Sequence, residues 1–134
     1  MKEVVSMRFA CAVLFLVLTQ SANAQQDAPK ITLACNGTSR STATTELKLD
    51  PVTNIYIDVN VADQTVSFLD NQIPITTTTL LFVGFSSPHA GGNPIISGRI
   101  DRITRSVEID WKYDDVSNDT HWELACRPYP IRLN

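Results

Sequence analysis

Ile55-Tyr56-Ile57-Asp58-Val59-Asn60-Val61 places an apolar residue at every second position, with Tyr, Asp and Asn between. A strand turns successive side chains to opposite faces, so this stretch lines a core with one face and meets water with the other. The same period recurs on either side of it. Ile31, Leu33 and Cys35 alternate with Thr32, Ala34 and Asn36, and Leu47 and Leu49 flank Lys48. Val66 and Phe68, Ile96, Gly98 and Ile100, then Val107, Ile109 and Trp111, and finally Trp122, Leu124 and Cys126 follow suit. Thr76 to Phe85 differs: threonines, then Leu80 to Phe85 apolar at nearly every position. It reads as a strand covered on both faces or kinked at Gly84. Turn-forming residues punctuate these runs at 50–54, 62–64, 70–72, 86–94, 101–105 and 114–118. About eight short strands with short links predict an all-β domain, a small antiparallel barrel or a barrel-like sandwich.

The N-terminus has another character. Met1 to Arg8 carries Lys2 and Arg8, Phe9 to Leu18 is unbroken apolar, and Ala22-Asn23-Ala24 offers small residues at a cleavage site. Ten helical residues span about 15 Å, too short for a bilayer core. Residues 1–24 therefore read as a signal peptide and 25–134 as one β domain, exported to the periplasm or secreted, with no stable membrane span after cleavage. Cleavage removes Lys2, Arg8 and Glu3 and leaves nine basic and thirteen acidic residues, a net charge of −4. That balance argues against nucleic acid and against an anionic membrane surface.

Of three cysteines, Cys11 leaves with the leader. Cys35 and Cys126 remain, on the apolar phases of the first and last strands, and in an oxidising compartment they pair. First and last strands are neighbours in an up-and-down barrel, so disulfide and strand pattern agree.

Leu33-Ala34-Cys35-Asn36-Gly37-Thr38, Ile96-Ser97-Gly98-Arg99-Ile100-Asp101-Arg102-Ile103-Thr104 and Trp122-Glu123-Leu124-Ala125-Cys126-Arg127-Pro128 resemble a family of small, uncharacterised, exported Gram-negative bacterial proteins. That family usually has Gly where this chain has Arg105, which counts against a positive φ at that turn position. The resemblance implies export and a β fold and no assigned activity. The chain also looks like periplasmic C-type lysozyme inhibitors of the MliC type, with an early and a late Cys, Ser97-Gly98, then Trp111-Lys112 on the next strand. The spacing here is longer, and the Tyr expected after the Ser-Gly step is missing. That likeness implies that Ser97 and Lys112 enter the acidic cleft of a target.

No catalytic, metal or cofactor constellation stands out. His89 and His121 lack ligand spacing and read as surface residues. Asp114, Asp115, Asn118 and Asp119 lack the central Gly of a calcium loop. Arg99, Asp101, Arg102 and Arg105 crowd one connection. Arg99 and Arg102 are candidates for a partner contact, although a turn capped by Asp101, with its arginines paired to Glu108 or Asp110, is the simpler account. Trp111 and Trp122 either fill the core or line a ligand cavity. The sequence thus points to a non-enzymatic binding or interaction module acting on an unknown protein or small ligand, through loops such as 86–94. An inhibitor of a cell-wall hydrolase and a small-molecule carrier are the alternatives.

Overall fold

The alternating runs fold into a closed barrel. A computed structural model describes residues 30–42, 48–115 and 118–130; the segment read as a signal peptide lies outside them. Eight strands follow in chain order: β1 Lys30–Ser41, β2 Leu49–Asn60, β3 Thr65–Phe68, β4 Asn71–Thr78, β5 Phe82–Ser86, β6 Ile95–Asp101, β7 Ser106–Lys112 and β8 Thr120–Pro128. Each pairs antiparallel with the next, and β8 returns to β1. One end of the barrel, here the lower, carries the start of β1, the end of β8 and the turns after β2, β4 and β6. The upper end carries the other connections.

The inward positions are those of the apolar phase. Leu33, Cys35, Ile57, Val59, Val66, Phe68, Ile73, Val83, Phe85, Ile96, Ile100, Val107, Ile109 and Leu124 are all buried. Most are β-branched or aromatic, residues that suit a pleated surface packed on one side. Cys35 and Cys126 face each other in register with Cα atoms 4.1 Å apart and are joined by a disulfide across the β1–β8 seam. The disulfide fits an oxidising, extracytoplasmic compartment.

Two glycines allow close approaches that a side chain would block. A Cβ on Gly37 would run into the Glu123 carbonyl of β8. A Cβ on Gly98 would meet the Phe85 ring and lie 2.6 Å from the Glu108 carbonyl.

Two turn expectations and one strand expectation are corrected. Residues 50–54 belong to β2, where Asn54 takes φ 57° and the register against β1 shifts between Cys35 and Gly37. Pro51 is tolerated there because β3 pairs only with Ile57 to Asn60, which leaves that stretch of β2 at an edge. The β3–β4 hairpin turns on Leu69-Asp70, both at positive φ, rather than on 70–72. Two successive positive φ values match the twist of the flanking strands. Finally, the run read as one strand, Thr76 to Phe85, is divided between two: Thr76 to Thr78 end β4, and β5 begins only at Phe82. Thr79 Oγ1 accepts from the Leu81 and Phe82 amides at 3.2 and 3.0 Å, closing a turn that leaves Leu80 and Leu81 in water.

Candidate functional site

The two halves of the interior differ. In the upper half the Phe68 ring meets Trp122 at 5.4 Å and Trp111 at 6.3 Å, edge to face. This cluster packs on the core. In the lower half the inward residues are short: Leu33, Val59, Val83 and Ile100. They leave a cup of about 330 Å³ open to the lower end. Ile31 and Val61 form its mouth, and Thr78, Asp101, Arg102, Arg105 and Pro128 its lip. Trp111 and Trp122 are not among its walls. Among the described residues two other concavities touch Glu108: one of about 110 Å³ lined by Arg99, Asp101, Ser106 and Glu108, and a shallower one of about 320 Å³ over the outer β7–β8 wall.

The lip is built by the β6–β7 turn. Asp101 Oδ1 accepts from the Ile103 and Thr104 amides, both at 2.8 Å, and the Arg105 amide closes the turn onto the Asp101 carbonyl at 2.9 Å. The Thr104 and Ile103 amides hold the Asp101 carboxyl below its ordinary range, with nearby Arg99 helping. Arg105 adopts φ 61°, so the left-handed conformation that counted as unexpected without glycine is present with an arginine. A non-glycine residue there costs roughly 1–2 kcal/mol.

The arginines do not pair with Glu108 or Asp110. Arg99 stacks over the Phe82 ring, 4.2 Å from its centroid. Arg102 Nη1 donates to the Thr79 carbonyl at 2.7 Å, and its amide donates to the Leu81 carbonyl at 2.8 Å. Asp110 instead binds His121: Nδ1 lies 2.8 Å from Asp110 and Nε2 3.3 Å from Glu123. Among the described residues no carboxylate lies within ion-pair distance of Arg102 or Arg105. Two guanidinium groups thus stand without a paired acid beside an apolar opening.

Ser97 pairs with Asp110, and Ile95 with Lys112. Ser97 and Lys112 therefore leave the same outer face of adjoining strands, one diagonal step apart. The 86–94 connection sits at the upper end, opposite the cup. His89 lies in it and is exposed. No group of three or more His, Cys, Asp or Glu is placed to hold a metal ion among the described residues, and no described helix is long and apolar enough to cross a membrane.

Sequence reasoning missed the cup, and it missed the exposure of Leu80, Leu81 and Ile103 in the turns at the same end of the barrel. One signal was present: an apolar pair directly after Thr76-Thr77-Thr78-Thr79, where a turn can begin as readily as a strand.

Fold and site together define a small closed antiparallel β-barrel with an apolar, arginine-lipped cup at one end. No family model, curated protein or solved structure matches the chain.

Proposed function

We propose that this protein is an exported, non-enzymatic binding module that carries an amphipathic small molecule, an apolar chain ending in an anionic group. The observation that supports this reading is the cup of about 330 Å³ with Arg102 and Arg105 at its lip. Its size falls at the lower end of the range for small-molecule pockets, roughly 300–1,000 Å³. Branched aliphatic walls favour an acyl chain over a polar body. A carboxylate or phosphate left at the mouth meets guanidinium groups, whose fork geometry matches such anions. The backbone cost at Arg105 is of the kind that gathers at ligand sites.

Titration with a fluorescent long-chain fatty acid tests the reading. Saturable binding at one site, displaced by unlabelled fatty acid, is expected. Val61→Trp should block the mouth and abolish it. Arg102→Ala combined with Arg105→Ala should weaken it about tenfold or more, the loss of charge-assisted bonds. Absence of saturable binding, or binding indifferent to Val61→Trp, overturns the reading.

A second reading, inhibition of a cell-wall hydrolase, is favoured by the shared outer face of Ser97 and Lys112. A lysozyme assay decides it: an unchanged hydrolysis rate at excess protein removes this reading.

A further inference from the structure

Beyond the cup, the lower end carries apolar side chains that project from its tips. Leu80 is 89% exposed, Ile103 71% and Leu81 56%. They come from two turns, after β4 and after β6, which Arg102 ties together through its bonds to the Thr79 and Leu81 carbonyls. The patch is therefore held as one surface. The charges around it are uneven. Lys30, Arg102, Arg105 and Arg127 lie toward this end. Of the acids there, Asp58 is matched by Lys30 at 2.9 Å, Asp101 is bonded to its own turn amides and Glu108 stands across from Arg99 on the wall, leaving Asp63. Asp70, Asp110, Asp114 and Asp119 lie toward the opposite end. The chain is acidic in sum, yet its lower end is the less acidic face, with cations beside projecting aliphatic residues. Apolar tips beside arginines are the pattern of a protein that rests on a lipid surface, the tips entering the headgroup–acyl boundary and the cations meeting anionic lipid.

We infer that the lower end docks on the surface of an anionic bilayer, with Leu80, Leu81 and Ile103 entering the interface and Arg102 and Arg105 on lipid headgroups. This goes beyond the carrier reading and needs no molecule in the cup. It also orients the cup's mouth toward the membrane. Net charge pointed away from such a surface because composition sums over both ends.

The test is co-sedimentation of the disulfide-bonded exported product, its first residue fixed by mass spectrometry. Two sets of vesicles are used, one rich in phosphatidylglycerol and one of phosphatidylcholine alone. Binding to the anionic vesicles should exceed that to the neutral ones by about tenfold or more, the contribution of two arginines near such a surface, and should fall with added salt. Leu80→Asp with Ile103→Asp should abolish it while leaving the thermal midpoint of these exposed turns' host barrel unchanged. Failure to bind anionic vesicles overturns the proposal, as does binding that the two Asp substitutions leave intact. Concentration-dependent self-association, lost in the Asp variant and without vesicle binding, assigns the patch to a second copy and likewise overturns it. No fatty acid is present in the assay, so its failure leaves the cup reading standing, and a failed fatty acid titration leaves this one standing.

Discussion

Gly98 sits directly across from Phe85 on the neighbouring strand, with the aromatic ring occupying the space where a Gly98 side chain would go. The Glu108 carbonyl closes the other side of that space. Gly98→Ala should therefore destabilise the barrel by about 1–3 kcal/mol, the usual cost of overpacking. Adding Phe85→Leu should restore part of the loss, because the ring yields but the carbonyl does not. Chemical denaturation of the single and double variants measures both effects. Equal stability of Gly98→Ala and wild type contradicts this packing.

The Cys35–Cys126 bridge closes a span of 91 residues. Replacing both with Ala should cost about 2–5 kcal/mol while retaining the strand signature in circular dichroism, since the other buried residues, chiefly aliphatic, still line the interior. Non-reducing mass spectrometry of the protein made in an oxidising compartment should find neither Cys35 nor Cys126 alkylated. Modification of both would contradict the bridge.

Arg105→Gly separates stability from binding. Glycine relieves the left-handed conformation, worth roughly 1–2 kcal/mol, and gives back about 0.5–1 kcal/mol through a more flexible unfolded chain. A net gain of about 0.5–1 kcal/mol is expected, together with weaker fatty acid binding. A loss of stability in thermal melts would show that the arginine side chain holds the turn.

Acid should loosen the same turn. The folded state keeps the Asp101 carboxyl ionised through two amide bonds, and the Asp58 carboxyl through the Thr32 hydroxyl, then Lys30. Both folded values lie below the ordinary 3.8. Between the two values the unfolded chain binds more protons, so stability rises with pH there. The contribution is present above the ordinary value and is lost as pH falls through the lowered folded value. Asp101→Asn keeps an acceptor for the Ile103 and Thr104 amides but cannot titrate. Its stability should therefore fall less steeply than wild type in this acid range. Identical slopes would exclude Asp101 as a contributor.

The barrel was legible because its information is local. Most inward residues from Leu33 to Cys126 are marked by their parity, and two cysteines on the inward phase of the end strands imply the seam. Ile73, on a strand that the alternation did not reveal, and Val83 and Phe85, in a run apolar at nearly every position, are the exceptions. Pro51 misled because its tolerance depends on where β3 stops, a fact about a different strand. Leu80 and Leu81 misled because apolar composition was read as burial, whereas the Thr79 hydroxyl turns the chain outward there. The cup was not visible at all. It arises from the shortness of Leu33, Val59, Val83 and Ile100 at one level of the barrel, and a linear reading does not show which residues share a level. The Arg105 conformation was masked by the expectation that only glycine would accept it. The arginines' partners were misassigned because His121 claims Asp110.

The seam has a consequence for how the cylinder comes together and apart. Seven strand pairings join segments that follow one another along the chain, and only β8 with β1 joins its two extremes. Almost the whole entropic cost of bringing distant segments together is thus concentrated in a single event. The covalent bond sits on that event, so when the reduced protein unfolds the wall should part first along this one line, while the hairpins on the far side keep their partners longest.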